Sequence, residues 1–210
     1  MPACGHAYNT ISMQVKTGAA VIPFARRDGA TWFLFHKTFK GRRAGLLVDF
    51  GGGSQPGESP VQTAAREFIE ETDAMFFALD CNDDLAPLVE SQYALMMNLI
   101  ERTQAAHPEW QCRRGSMEHD RPRDWRTFFV EVDYREQADI NTAWAQDLAG
   151  RFSKRRELLW LKAEQLLDII DNSPEYLWKR LRRYRGMRDN VLAIAASASV
   201  NSGSSEDVLL

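Results

Sequence analysis

The chain has 210 residues, 44% of them hydrophobic, and its 26 basic and 29 acidic side chains leave a formal net charge of −3. This length fits one domain with insertions, and the near balance of charge argues against a protein that binds nucleic acid through bulk charge. Three widely spaced cysteines, no signal-peptide pattern in the first ten residues and no apolar run of about 20 residues predict a cytoplasmic protein without a membrane span.

The first sixty residues predict three short strands and the start of a helix. The strands are expected at 18–24, 32–38 and 46–50. The third strand leads into Gly51-Gly52-Gly53, where glycine lets the backbone approach a ligand closely. A helix follows, because Ser59 can cap it, Pro60 suits its first position and Gln62 can complete a capping box.

Two elements are predicted between this helix and residue 110. A short apolar run favours a strand at 75–79. Apolar side chains at helical spacing predict a long helix from Leu85 to Ala106. Its apolar face is expected in the core or, as an open alternative, in the contact of a homodimer.

The last part of the chain alternates predicted strands and helices. Strands are expected at 125–134 and 157–161, and helices at 138–148, from the second strand through 170, and at 174–187. The charged stretch 112–124 is interpreted as a structure-poor loop that can act as a lid. The basic side of the helix predicted at 174–187 is expected to be exposed to solvent, and RNA binding is the alternative. The Ala/Ser-rich residues 195–210 are predicted to be disordered, so one domain covers 1–194.

The helix that starts at Ser59 carries three glutamates on one side. Glu67, Glu70 and Glu71 stand at i, i+3 and i+4, opposite an apolar stripe that begins at Val61. Like charges at these spacings repel by about 0.2–0.5 kcal/mol per pair, so a bound cation would relieve them. Carboxylate oxygens suit Mg²⁺ or Mn²⁺, but three glutamates alone also fit an ordinary solvated helix face.

Residues 52–74, GGSQPGESPVQTAAREFIEETDA, decide between these interpretations. Gly52, Glu58 and Arg66-Glu67-Phe68-Ile69-Glu70-Glu71 resemble the Nudix box, G-x5-E-x7-R-E-U-x-E-E-x-G-U, in which U is a bulky apolar residue. Asp73 replaces the second glycine of the family pattern, and the small Ala74 fills the last apolar position. The resemblance implies an α/β fold in which a mixed β-sheet lies between helices (an α/β/α sandwich), with the helix near 85–106 as an insertion.

The resemblance also implies an activity and a cofactor. Nudix enzymes use Mg²⁺, which Mn²⁺ can replace, to hydrolyse a diphosphate linkage in a nucleoside diphosphate attached to another group. The implied metal ligands are Glu67, Glu70, Glu71 and the carbonyl of Gly51, with Glu70 also accepting the proton of the attacking water. Arg66, four residues before Glu70, can orient that carboxylate.

One further carboxylate is expected outside the box, where it would bind the metal or act as the general base. Its position varies in the family, so the motif does not fix it. Glu157, at the start of the last predicted strand, is the first choice, and Glu118 is the second.

The basic residues before the box are candidates for substrate binding. Lys37, Arg42 and Arg43 can hold the phosphates of a small phosphorylated substrate, a nucleotide above all, or can remain solvated. A structural role is expected for His36. The alternative to an enzyme is a non-catalytic Nudix-fold protein that binds a nucleotide or RNA, but such a binder does not need the complete set of glutamates.

Overall fold

The computed structural model describes residues 15–77, 85–118, 121–146 and 156–201. Its strands are β1 (Lys16–Arg27), β2 (Ala30–Thr38), β3 (Phe50–Gly53), β4 (Gln111–Glu118), β5 (Arg121–Glu131) and β6 (Arg156–Lys162). Its helices are α1 (Pro60–Glu71), α2 (Leu85–Ala106), α3 (Ala138–Ala145), α4 (Ala163–Asn172) and α5 (Met187–Asn201).

The six strands form one mixed sheet with β1 near its centre. The order along the sheet is β4-β5-β1-β2-β6, and β3 pairs with the first half of β1. β1 runs parallel to β5 and antiparallel to β2 and β3, while β4–β5 and β2–β6 are antiparallel pairs. The β1–β3 pairing places Gly51 opposite Ala20. After β3 the chain leaves the sheet through residues 54–59 and enters α1.

The two faces of the sheet are buried by different helices. Side chains alternate along a strand, so Val21 of β1 joins the core under α1 and α2, whereas Ile22 joins the core under α4 and α5. In α2, Met96 and Ile100 are fully buried, so the predicted apolar face of this helix contributes to the core. The predicted fold class, a mixed α/β sheet flanked by helices, is confirmed.

The prediction of a structure-poor loop at 112–124 is wrong. Residues 111–118 and 121–131 form the antiparallel pair β4–β5, with Cys112 and Thr127 as cross-strand partners. Cys112 and Arg114 are buried and Arg113 between them is exposed, which is the alternation of a strand. The strand predicted at 75–79 is not formed at 75–77, and the rest of it lies outside the described residues.

The prediction of a helix at 174–187 is also wrong. The chain makes two 3₁₀ turns there and runs beside the residues that precede β3, so that Leu47 N donates to Tyr176 O (2.8 Å) and Trp178 N donates to Leu47 O (2.9 Å). We call residues 174–186 the strap.

A helix follows the strap instead. α5 extends to Asn201, so residues 195–201 are helical rather than disordered, and 202–210 lie outside the described residues. Among the helices that the structure describes, none is long and apolar enough to cross a membrane.

Candidate active site

Helix α1 is built as the sequence predicts. The Ser59 hydroxyl accepts from Gln62 N (3.2 Å), and Ser59 N donates to Gln62 Oε1 (2.9 Å), which completes the capping box. Ala64, Ala65, Phe68 and Ile69 are buried against the sheet. Packing of this stripe fixes the rotation of α1 and turns the glutamates toward Gly51, Gly52 and Gly53, the last residues of β3, which we call the glycine loop.

Arg66 holds the carboxylates at the outer side of the site. Its Nε donates to Glu58 Oε1 (2.6 Å), and its Nη1 lies 2.9 Å from Glu67 Oε1 and 3.1 Å from Glu70 Oε1. Its Nη2 donates to the Gly53 carbonyl (2.9 Å). We call Glu58, Glu67 and Glu70 around Arg66 the outer acidic cluster; in it one guanidinium serves three carboxylates.

The outer acidic cluster is partly open to solvent. The Glu58 and Glu67 side chains are 16% and 15% exposed, while that of Glu70 is 56% exposed. Hydrogen bonds from Arg66 lower the pKa of Glu58 to about 2. A side chain at Gly52 would collide with the Glu67 carboxylate, so glycine is needed here for Glu67 to approach the loop.

Glu71 lies in a different environment, beneath the loop. It is 7% exposed, and its Oε2 accepts from Gly51 N (2.8 Å). Arg156, the first residue of β6, donates to Glu71 O (2.5 Å) and places its Nη2 3.4 Å from Glu71 Oε1. Burial raises the pKa of Glu71 to about 7, although Arg156 and the Gly51 hydrogen bond act in the opposite direction.

Arg180 of the strap enters the site from the other side of the loop. It is 5% exposed and pairs with the fully buried Asp49 through Nε (3.0 Å) and Nη2 (2.5 Å). Its Nη1 donates to the Gly51 carbonyl (3.2 Å), and its guanidinium lies 4.3 Å from the centre of the Trp125 ring. The Tyr184 hydroxyl donates to the second Asp49 oxygen (2.6 Å), so the pair is fixed from both ends.

Arg43 completes a group of three arginines. It is half-buried, with its guanidinium 5.2 Å from the centre of the Trp178 ring. Its charge interacts with those of Arg180 and Arg156 as well as with Glu71 and Asp49. We call Arg43, Arg156, Arg180, Asp49 and Glu71 the inner arginine cluster; in it the charges of three guanidinium groups act on one another and on two carboxylates.

The donor set fits a hard divalent cation, but it is not a preformed cage. Glu67, Glu70 and Glu71 offer carboxylate oxygens, and the desolvated Glu71 would gain from a cation beside it. In the described part of the chain, no three His, Cys, Asp or Glu side chains converge tightly enough to hold a metal ion. Arg66 holds two of the glutamates, and the Gly51 carbonyl shares its lone pairs with Arg180.

Two of the residues predicted for the site lie on the opposite face of the sheet from Glu71. Glu157 is the cross-strand partner of Lys37, and alternation turns both toward the face that α4 and α5 cover. Arg156 and His36 take the face of Glu71 instead. The structure thus does not bring Glu157 or Lys37 to the Glu71 carboxylate, because a shift of one residue along a strand reverses its face. A metal-binding role for Glu157 and a phosphate-binding role for Lys37 stay predictions from the sequence.

The other predicted residues are distributed as follows. Arg42 is exposed, and only its neighbour Arg43 joins the inner arginine cluster. Glu118 lies in β4, and its side chain is outside the described residues. His36 is fully buried and packs edge-on against Phe50, with 5.0 Å between the two ring centres. Its Nδ1 lies 3.9 Å from Glu71 Oε2.

Sequence reasoning missed Asp49, Arg156 and Arg180. Asp49 leaves a weak signal, since it is the one charged residue in the apolar run 46–50. Arg180 stands between the inward-facing Leu177 and Tyr184, which is a second weak signal. Nothing in the local sequence marks Arg156.

Asp73 occupies the backbone position that the box resemblance gives to glycine. Its φ is +49° and that of Ala74 is +56°, both in the left-handed region. The chain thus leaves α1 through a turn that favours glycine, and Ala74 N donates to Ile69 O (2.9 Å) to close it.

No protein-family model and no curated protein sequence matches this chain. Solved structures do show similarity. An Ap4A hydrolase from C. elegans in a binary complex is 12% identical over 89% of this chain and 99% of its own, with a TM-score of 0.46. A NUDIX hydrolase from Alicyclobacillus acidocaldarius is 13% identical over 92% and 97%, with a TM-score of 0.48.

A NUDIX domain of Shewanella oneidensis NrtR complexed with ADP ribose is also similar, at 12% identity over 74% of this chain and 77% of its own, with a TM-score of 0.33. Identities this low and TM-scores below 0.5 leave the box residues and their geometry as the basis for a functional assignment.

Proposed function

We propose that this chain is a Nudix hydrolase that uses Mg²⁺ or Mn²⁺ to cleave a diphosphate linkage in a nucleoside diphosphate attached to another group. The observation that carries the proposal is that Arg66 and all four glutamates of the box are present and are brought together by one loop and one helix. Arg66 donates hydrogen bonds to Glu58, Glu67, Glu70 and the Gly53 carbonyl. The Glu71 carboxylate accepts a hydrogen bond from Gly51 N.

Glu67, Glu70 and Glu71 would hold the metal. Bound there, the cation would neutralise phosphate oxygens and favour the ionised form of a water molecule. Hard carboxylate oxygens are the donors that Mg²⁺ prefers. The departure at Asp73 lies beyond these ligands and leaves their helix intact.

The residues of the chain have separate roles in this proposal. Arg66 keeps Glu67 and Glu70 on the same side of α1 and neutralises part of their repulsion. Glu70, the most exposed of the box glutamates, is placed to accept a proton from water. Arg43, whose charge interacts with that of Glu71, would hold a substrate phosphate. A cytoplasmic location stays a prediction.

Replacing Glu71 tests the reaction class. Glu71→Gln keeps the size of the side chain but removes its charge, so we expect kcat to fall by about 10² or more. The measurement is phosphate release from a panel of nucleoside diphosphate derivatives with Mg²⁺ or Mn²⁺. EDTA should abolish turnover in the same assay.

Glu157→Gln is the matched control, because this exposed glutamate lies on the opposite face of the sheet. It should retain the wild-type rate. Undiminished turnover in EDTA or in Glu71→Gln would contradict the proposed mechanism. Tight nucleotide binding without turnover across the panel would instead support the non-catalytic alternative.

A further inference from the structure

The inner arginine cluster has more positive charge than its carboxylates neutralise. Arg180 is committed to Asp49 and Arg156 to Glu71. In the described ranges, Arg43 makes no hydrogen bond or ion pair with a carboxylate; its contact there is with the Trp178 ring. The cluster thus holds one guanidinium whose charge is not matched by a nearby acid.

Burial and neighbouring charge make this arrangement unfavourable without a further anion. Desolvation and then the charge of Arg180 lower the pKa of Arg43, and Arg156 acts in the same direction. Asp49 and Glu71 act against this shift, but each is already engaged by another arginine. An anion beside Arg43 would remove the imbalance.

The position of the Arg43 guanidinium over the Trp178 ring also favours binding of an anion. The guanidinium carbon of Arg43 lies over the Trp178 ring, 5.2 Å from the ring centre, and the Trp178 backbone is anchored by its hydrogen bond to Leu47 O. A guanidinium held over an aromatic ring has less conformational entropy to lose when its donors bind a phosphate. Arg156 adds a second observation: it is 5% exposed, and its buried Nε has no hydrogen-bond partner among the described residues.

We propose that Arg43, backed by Arg156 and Arg180 and positioned by Trp178, forms a site that binds a phosphate group of the substrate without a metal ion. The proposed function supplies the identity of the ligand, but the site itself depends only on the arginines. The substrate class that fits both clusters has at least two phosphates, one toward the outer acidic cluster and one at Arg43.

Calorimetric titration with inorganic pyrophosphate in EDTA tests the site without any turnover. The wild-type chain should bind pyrophosphate, and Arg43→Gln should weaken binding at least tenfold. Arg42→Gln is the matched control, because it removes the same charge from the exposed adjacent residue. At about 0.15 M salt it should change the Kd by less than twofold, since exposed charges are screened.

Two further variants keep the test decisive if Arg43→Gln does not fold. Arg43→Lys retains the charge but loses the planar fork, and Trp178→Leu retains apolar packing but removes the stacking ring; each should weaken binding several-fold. No binding by the wild-type chain at millimolar pyrophosphate would overturn the proposal. So would equal losses in Arg42→Gln and Arg43→Gln, or wild-type affinity in both Arg43→Lys and Trp178→Leu.

The outcome is distinguishable from failure of the proposed function. Turnover with Mg²⁺ but no pyrophosphate binding in EDTA would contradict the arginine site alone. Binding that depends on Arg43 without any turnover would contradict the hydrolase and leave the arginine site standing.

Discussion

The two ends of the candidate site have opposite charge imbalances. In the outer acidic cluster one arginine, Arg66, serves three carboxylates near solvent. In the inner arginine cluster the charges of three guanidinium groups act on only two carboxylates, those of the buried Asp49 and Glu71. The first end lacks positive charge and the second lacks negative charge, which is the pattern expected where a cation and an anion bind side by side.

The clusters also differ in what their charges contribute to stability. The Arg180–Asp49 pair is almost completely buried, so removal of one partner leaves a charge without solvent. Arg66 is 18% exposed and its carboxylates can recover water. Mutations in the inner cluster should therefore affect folding more strongly than mutations in the outer one.

The largest effect is expected for Arg180→Met. It leaves Asp49 buried without its ion-pair partner, and we expect the free energy of unfolding to fall by about 3–5 kcal/mol. Urea denaturation measures it, with Arg182→Met as the exposed control, expected within about 0.5 kcal/mol of wild type. The double variant Asp49→Asn/Arg180→Met should recover a large part of the loss. A small effect of Arg180→Met would show that the inner cluster is no more costly to break than the outer one.

A smaller and pH-dependent effect is expected in the outer cluster. The pKa of Glu58 is lowered from 4.5 to about 2 in the folded protein, so its pairing with Arg66 stabilises the fold above about pH 4.5 and is lost as pH falls toward 2. After solvent screening we expect about 1–2 kcal/mol.

Glu58→Gln measures this contribution. The stability gap between wild type and the variant should be largest at pH 7 and should shrink markedly at pH 3, as followed by urea denaturation at both values. A gap that does not change with pH would mean that Glu58 acts through packing or neutral hydrogen bonds.

The smallest effect concerns the turn that ends α1, next to the carboxylates of both clusters. Asp73→Gly removes the strain of a left-handed residue, and we expect a gain of about 0.5 kcal/mol with kcat nearly unchanged. Ala74→Gly relieves similar strain but deletes a buried methyl group, so its net effect should be near zero. Thermal unfolding compares the two.

A metal titration separates the turn from the site. If Asp73→Gly lost much of the affinity for Mg²⁺, Asp73 would be a ligand and its role in the turn would be secondary.

Local sequence is a good guide where local interactions decide the structure. The capping box of Ser59 and Gln62, the apolar stripe of α1 and the pairing of Arg66 with Glu70 all involve residues within one or two helical turns. The resemblance to the Nudix box adds the loop that precedes the helix. Together these signals predict the pairing of Arg66 with Glu70, but not the contacts of Arg66 with Glu58 and Glu67.

Local sequence misleads where charge is equated with exposure. Residues 112–118 and 121–124 of the charged stretch pair in β4–β5, and Cys112 and Arg114 are buried on either side of the exposed Arg113, because alternate residues of a strand can be buried even when their neighbours are charged. The helical spacing of Leu177, Leu181 and Tyr184 favours a helix in the strap, yet 3₁₀ turns and the contacts of Leu47 hold it in a different path.

The sequence by itself determined the box, its helix and the carboxylates on one face. Only the tertiary structure decided what surrounds them, because Arg156 reaches Glu71 across 85 positions and Arg180 reaches Asp49 across 131. Such contacts depend on strand register and on the path of the strap, neither of which leaves a periodic pattern near the residues concerned. Arg156 and Glu157 illustrate this sensitivity to strand register. A shift of one position along β6 would replace the Arg156 guanidinium beside Glu71 with the Glu157 carboxylate.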